Sequence, residues 1–279
     1  MSLNLGVIGK KMGPVSFSYD RDTVILYALG IGATVEELHL LYEKDLKVFP
    51  TFAVVPLMTT LFSFISESGM NLLSVLHAEQ KTILHSPIPS SGKLHTWTTC
   101  ESIYDKGDTG AFANLLCETR DDSGTLLFEN KMVVLDRSAG NFGGDKGPKS
   151  QKIDPPEGVP PAFRVEQKTS ASQAALYRLS GDKNPLHIDP EFAKKAGLER
   201  PILHGLCSYG FAARAVIGGL GLREPSRLRS FGVRFINMVY PGDTLITEGW
   251  KLEEDRYIIR TTNQDGKVVL GNGLALIDQ

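Results

Sequence analysis

Between Tyr177 and Asp189 the chain reads Tyr177-Arg178-Leu179-Ser180-Gly181-Asp182-Lys183-Asn184-Pro185-Leu186-His187-Ile188-Asp189. A carboxylate (Asp182), an amide (Asn184) and an imidazole (His187) fall within six residues. Ser180-Gly181-Asp182 cannot continue the apolar helical pattern that precedes it, and Pro185 biases Asn184 away from the helical region. The three side chains are therefore expected to project from a stiff, irregular segment at the end of a helix. Polar groups held in that way suit acid–base handling of a water molecule. A plainer alternative is a turn in which Asp and Asn cap backbone amides and the imidazole is merely exposed.

The elements that must carry this segment repeat along the chain. Leu26-Tyr27-Ala28-Leu29-Gly30-Ile31-Gly32 reappears 150 residues later as Leu176-Tyr177-Arg178-Leu179-Ser180-Gly181-Asp182. Gly124 to Asp136 is echoed by Gly266 to Asp278 at an offset of 142 residues, and Pro50 and Pro201 each precede an apolar helical run. Several matches in one order imply two copies of one architecture. The copies differ at the chemical positions: Gly32 stands in the slot of Asp182, and Glu37 in that of His187. Only the second copy holds the water-handling trio. The Gly-, Pro- and Lys-rich stretch from Arg137 to Pro161 reads as a flexible linker. We divide the chain into a non-catalytic repeat (1–140), a linker (141–162) and a catalytic repeat (163–279).

Each half reads as helix first, then strands. In the second half Ser170 can cap a short helix running to Leu179. A longer helix is expected over about Leu203 to Gly218, where Gly205, Gly210, Ala212 and Ala213 would let a sheet approach closely. Strands follow at Ser230–Val239, Thr244–Leu252, Arg256–Asn263 and Val268–Ile277, separated by turn signals such as Pro241-Gly242-Asp243. The first half repeats this with a helix near Phe52–Ser66 and strands from Leu76 to Leu135. Consecutive strands joined by tight turns make an antiparallel sheet, and one apolar helix must pack on its face. The fold class is thus α+β, a double hot dog: two tandem repeats, each a long helix wrapped by a curled antiparallel sheet.

Composition narrows the possibilities. With 279 residues, 42% hydrophobic and 22% charged, the chain is in the globular range and long enough for a substantial core. A formal net charge of -2 gives no reason to invoke nucleic acid or an anionic membrane surface. Cys100, Cys117 and Cys207 are too few and too dispersed for a disulfide framework or a metal knuckle, which fits a reducing compartment. The apolar run Phe52 to Ile65 is broken by Pro56 and falls short of the ~20 residues of a membrane span. Neither a signal peptide nor a peroxisomal or reticulum address is visible, so a soluble intracellular protein is expected.

Ala175 to Pro190 resembles the signature of (R)-specific 2-enoyl-CoA hydratases, the hydratase 2 unit of peroxisomal multifunctional enzyme type 2 and the MaoC-like dehydratases. Pro201-Ile202-Leu203-His204-Gly205-Leu206-Cys207 is similar to a second block, and Arg234-Phe235 with Val239-Tyr240-Pro241-Gly242 to a third. Leu76-His77-Ala78-Glu79-Gln80, Asp105-Lys106-Gly107 and Asn141-Phe142-Gly143-Gly144 extend the resemblance through the first half. One departure is Ala78, where the family suggests glycine; it is expected to alter how closely substrate passes the backbone. The dehydrogenase and lipid-carrier domains of the larger relatives are not in this sequence, which therefore does not correspond to the whole multifunctional enzyme.

The resemblance implies reversible hydration of a trans-2-enoyl-CoA to a (3R)-3-hydroxyacyl-CoA within fatty-acid β-oxidation, with Asp182 and His187 catalytic. It also implies a peroxisomal location and no cofactor beyond the CoA of the substrate. Negative charge develops on the thioester oxygen as water attacks the β-carbon. The backbone N–H of Gly205, near the start of the long helix, is suited to receive that charge. His187 has a reference pKa of ~6.5 and is the better proton acceptor. Asp182 would orient the water and share in proton delivery, but the sequence does not fix which group performs which step. Asn184 is assigned to support or substrate contact, and His77, Ala78, Lys106 and Phe235 to acyl-CoA contact, with core or solvated roles as alternatives. His204 is read as structural. The glycine run Gly140–Gly147 is better explained by flexibility than by phosphate binding. A repeat freed from catalysis would leave room for long or branched acyl chains. Strand edges would suit a homodimer that extends the sheets.

Two rival readings remain at this level. A thioesterase on the same fold also needs an acidic residue and an oxyanion donor. An acyl-CoA-binding scaffold would need no chemistry from Asp182.

Overall fold

The computed structural model describes residues 3–278. In both halves a strand precedes the α-helices, which the sequence reading did not anticipate. In the first half β1 (Lys11–Tyr19) is followed by α1 (Arg21–Gly30), α2 (Leu38–Leu41), a 3₁₀ turn (Pro50–Val54) and α3 (Leu57–Ser68). The strands β2 (Val75–Leu84), β3 (Gly92–Asp105), β4 (Ala111–Asp121) and β5 (Leu126–Asp136) complete it. The second half has β6 (Phe163–Lys168), α4 (Gln173–Tyr177), α5 (Pro190–Lys195) and α6 (Gly205–Gly219). It closes with β7 (Leu228–Phe235), β8 (Thr244–Lys251), β9 (Arg256–Asn263) and β10 (Val268–Ile277).

Local chemistry explains many of the boundaries. The Asp20 carboxylate accepts the N–H of Thr23 at 2.9 Å and starts α1. Along β4 the small or apolar residues Ala111, Ala113, Leu115 and Cys117 all face inward, the two-residue period of a half-buried strand. Asp121 accepts the N–H groups of Ser123 and Thr125 and closes the turn into β5. α6 buries eleven of its fifteen residues, the pattern of a helix surrounded by protein. Gly210 lies against Ile31 of the first half, where a Cβ would meet the Ile31 Cγ2 at 2.3 Å. At Gly210 the close approach is thus made to the first repeat, whereas Gly205 lies against Phe235 of β7, as expected for a helix packed on a sheet.

All ten strands form one antiparallel sheet, in the order β1-β3-β4-β5-β2-β7-β10-β9-β8-β6. The halves join through β2 and β7, registered from Glu79 opposite Arg234 to Ile83 opposite Ser230. Tyr209 of α6 fastens the seam: its hydroxyl donates to the Phe231 carbonyl at 2.7 Å and accepts the Thr82 N–H at 3.2 Å. On the other side α1 meets α4, and the rings of Tyr27 and Tyr177, equivalent in the repeat, lie 6.1 Å apart. Equivalent residues meeting each other is the mark of a two-fold contact. The halves thus make within one chain the sheet extension expected between two chains. The free edges are poorly made for another: β6 alternates the charges Arg164, Glu166 and Lys168, and β1 has a register shift between Met12 and Val15.

Two further expectations change. The run Pro50–Ser68, at 19 residues, is long and apolar enough to cross a membrane by length and composition, but it is mostly buried in the core. Residues 137–162 contain no helix or strand, yet are fastened along the surface. The Asp105 carboxylate accepts the N–H groups of Asn141 and Gly143, Arg234 donates to Ser150, and Asn272 donates to the Gln151 carbonyl. A flexible connector is not what these bonds describe.

Candidate active site

After α4 a 3₁₀ turn, Arg178–Ser180, runs into Gly181, whose φ of +129° excludes ordinary side chains. The chain then reverses. Oδ1 of Asp182 accepts the N–H of Asn184 at 3.1 Å, and the Asn184 side chain accepts the N–H of Leu186 at 3.0 Å. These bonds give Asn184 a loop-holding role and open the short 3₁₀ turn Pro185–His187. Asp189 caps α5, so the segment is fixed at both ends. The capping anticipated as the plain alternative is present, and it leaves the other Asp182 oxygen free.

That oxygen, Oδ2, faces His187 Nε2 at 3.9 Å. Both side chains are largely buried, at 15% and 10% exposure. Nδ1 of His187 lies 2.9 Å from the Ile202 carbonyl, which can only accept. The ring proton is therefore on Nδ1, and Nε2 presents a lone pair to Asp182. Burial holds the His187 pKa below its ordinary value, against the opposing pull of the Asp182 charge. The result is an uncharged base and a carboxylate oxygen, two acceptors too far apart to bond directly and spaced for one water that donates to both.

His204, read as structural from sequence, belongs to this cluster. It is 1% exposed, and its ring stacks on His187 with centroids 3.7 Å apart and 28° between planes. Its Nε2 lies 3.3 Å from the Asp182 carbonyl. Asp182, His187 and His204 each offer a ligand-type atom within 4.8 Å of the others. Stacked imidazoles direct their in-plane lone pairs side by side, however, and one nitrogen of each already serves a carbonyl. The arrangement suits a bound water better than a convergent metal shell. The one clue in the sequence was the position of His204 immediately before Gly205.

Gly205 is the first residue of α6, with His204 as N-cap. Among the described residues its N–H finds no acceptor, as expected in the first turn of a helix. A Cβ on Gly205 would lie 3.1 Å from Phe235 Cε1, so the ring covers this glycine. Phe235 in turn meets His77 edge to face, with centroids 5.2 Å apart. His77 bonds the Glu79 carbonyl through Nε2 at 3.1 Å, and burial lowers its pKa to about 4. Between His77 and Glu79 the β2–β5 register shifts, which makes Ala78 a bulge residue outside the regular ladder. A line of contacts thus runs from His77 through Phe235 to Gly205, His204, His187 and Asp182. Lys106 stands apart. Its ammonium donates to the carbonyls of Lys146 and Pro148 and lies 5.6 Å from the centroid of the Tyr104 ring.

The corresponding position in the first repeat is filled. A Cβ on Gly32, where φ is +82°, would meet Phe211 Cζ at 2.5 Å. Glu37 pairs with Arg214 of α6, with its Oε1 3.2 Å from Nε, and Arg214 also donates to the Ile31 carbonyl at 3.0 Å. An aromatic ring and an ion pair stand where the second repeat has the Asp182–His187 loop.

Residues 17–138 match the family described as the MFE-2 hydratase 2 N-terminal domain, and residues 152–272 that described as MaoC like domain. A probable enoyl-CoA hydratase 2 from Dictyostelium discoideum is 39% identical over 98% of this chain and 95% of its own. A peroxisomal multifunctional enzyme type 2 from Mus musculus is 39% identical over 96% of this chain, which spans 38% of that protein. The crystal structure of a MaoC-like dehydratase from Phytophthora capsici superposes with a TM-score of 0.88 at 30% identity, covering 99% of this chain and 98% of that one. A Mycobacterium tuberculosis protein described as a double hotdog fold superposes at 0.59 over 96% of this chain and 97% of that one, at 14% identity, a likeness of fold alone. With one repeat matching each half and a relative aligned almost end to end, the chain belongs to the MaoC-like, hydratase 2 family of double hot-dog proteins.

Proposed function

We propose that the protein is a hydro-lyase that reversibly hydrates trans-2-enoyl-CoA to (3R)-3-hydroxyacyl-CoA in β-oxidation. The observation that carries this reading is the facing of His187 Nε2 and Asp182 Oδ2 at 3.9 Å, with His204 stacked on His187 and followed by Gly205, whose N–H meets no acceptor among the described residues. One water donates to both acceptors. His187 Nε2 takes a proton from it while the oxygen bonds to the β-carbon. The π electrons move through the α-carbon to the thioester oxygen, where the Gly205 N–H stabilises the charge. The same proton, carried by the Asp182–His187 pair, then returns to the α-carbon as the thioester carbonyl re-forms. Hydroxyl and hydrogen arrive on one face, the pair ends as it began, and no metal or cofactor enters. Dehydration is the same path reversed.

Phe235, His77 and the bulge at Ala78 form the wall along which the acyl-CoA lies, and Asn184 holds the loop. Lys106 reaches CoA only by leaving its present carbonyl partners, those of Lys146 and Pro148. The first repeat supplies no catalytic groups, and tolerance of long acyl chains is a further part of the proposal. Peroxisomal residence is part of the proposal on the strength of relatives so named. A homodimer that extends the sheets is also part of the proposal, and its edge pairing must accommodate the charges of β6 and the register shift of β1.

The test is incubation with crotonyl-CoA and a longer trans-2-enoyl-CoA. Absorbance of the conjugated thioester should fall without release of free thiol, and chiral analysis should give the 3R product. Thiol release without hydration would favour a thioesterase, and 3S product would overturn the proposed facial geometry.

A further inference from the structure

We propose that His204 is a positioning residue of the hydration site, its ring edge holding the Asp182 main chain while its ring face supports the His187 imidazole. The inference rests on the hydratase reading and deepens it. The Asp182 carbonyl can only accept, so at 3.3 Å the His204 Nε2 is the donor. Nδ1 is then a buried lone pair, and it finds no donor among the described residues. Retaining such an orphan acceptor is destabilising, so a side chain that carries one needs a compensating reason. The reason here is that both faces of the requirement must be met at once. Phenylalanine would supply the stacking face without a donor, and glutamine a donor of similar reach without the face.

The groups that surround His187 support this assignment. Asp182 faces its Nε2, the Ile202 carbonyl fixes its Nδ1, and His204 covers one face from the start of α6. Beyond His204 stand the Tyr177 ring, with centroids 5.0 Å apart, and the charge of Arg178. His204 itself is held uncharged, its pKa lowered to about 2, chiefly by burial. A neutral ring against the catalytic imidazole excludes water from that face and adds no competing charge. A bond to the Asp182 carbonyl also ties the loop to the residue preceding Gly205, which links the water-binding pair to the oxyanion donor through one side chain.

The experiment compares H204F and H204Q with the wild type, each checked for folding by circular dichroism and thermal melting. Hydration of crotonyl-CoA is followed across the pH range in which His187 titrates. Both variants are expected to lose roughly tenfold in kcat, with KM within about twofold of wild type, as for other residues that orient catalytic groups. In H204Q water reaches the exposed face of His187, so the acidic limb of the profile should move up by about one pH unit. In H204F the face is retained and the limb should stay. A purely structural role would lower stability and move neither limb. Should the Gln variant not fold, the Phe variant decides, because wild-type kcat there would remove the ring-edge bond from the mechanism. Wild-type kcat in either folded variant, or an unmoved limb in H204Q, overturns the proposal. Nitrogen NMR of labelled histidine reads the His187 titration without substrate. A His187 shift in H204Q from an enzyme inactive on every enoyl-CoA would sink the hydratase reading and leave the positioning role standing.

Discussion

Replacing Asp182 with asparagine is expected to be more damaging than replacing it with alanine. Oδ1 of Asp182 accepts the N–H of Asn184 at 3.1 Å, so in D182N the amide oxygen must take that place. The amide NH₂ then stands where Oδ2 was, 3.9 Å from His187 Nε2. That nitrogen carries a lone pair, because its partner Nδ1 donates to the Ile202 carbonyl. A rotation that brings the two closer by about 1 Å makes a direct N–H···N bond and removes the base from use. General acid–base catalysis contributes roughly 10²–10⁴-fold, and its loss should appear as about 3–5 kcal/mol on the barrier, in kcat rather than KM. D182A leaves the His187 lone pair free for a water and should keep a measurable share of that factor. The assay is steady-state loss of enoyl-thioester absorbance with crotonyl-CoA for wild type, D182N and D182A. D182N within threefold of wild type would refute the water-sharing geometry. D182A slower than D182N would refute the amide–imidazole argument.

Three other outcomes can be checked. In G205A the new methyl would sit 3.1 Å from the Phe235 ring, so kcat/KM should drop roughly 10–100-fold with the melting temperature within a few degrees of wild type; an unchanged rate would show that substrate does not approach this glycine. His204 and His77 have pKa values lowered to about 2 and about 4, and that of His187 is lowered as well. Their contribution to stability is complete above the unfolded value of ~6.5. It is lost as pH falls, because the unfolded chain takes up protons that the folded one refuses. Melts should weaken below ~6.5 by up to ~1.4 kcal/mol per pH unit per histidine, less for partly exposed His77, before carboxylates titrate; a flat profile from pH ~6.5 to ~5 would contradict the burial argument. Finally, G32D/E37H places the residue types of Asp182 and His187 in the first repeat but meets the Phe211 ring at a φ of +82° and unpairs the 8%-exposed Arg214. A loss of about 3–5 kcal/mol in stability is expected. Introduced into D182N, the pair should rescue no activity, and a rescue would show the first site to be open.

The short-range features of this protein were legible in its sequence. Asp182, Asn184 and His187 follow one another on a loop whose Gly181 and Pro185 impose its shape, so their proximity is a local property. The repeat was legible because Tyr27 and Tyr177 keep their spacing to the following loops, and β8 to β10 because tight turns separate strands of period two. The leading strands β1 and β6 were missed because each draws its stability from a partner distant in sequence, β3 and β8 respectively. Merging of the two sheets through β2 and β7 was equally out of reach, since pairing of Thr82 with Phe231 depends on how two finished repeats meet. The role of His204 also had to wait for coordinates: a single imidazole beside a glycine has no signature until the fold lays it on His187 at 3.7 Å. Sequence determined which groups can exchange a proton with water. Tertiary packing decided which nitrogen holds that proton, because a carbonyl fifteen residues away, that of Ile202, is what fixes the ring of His187.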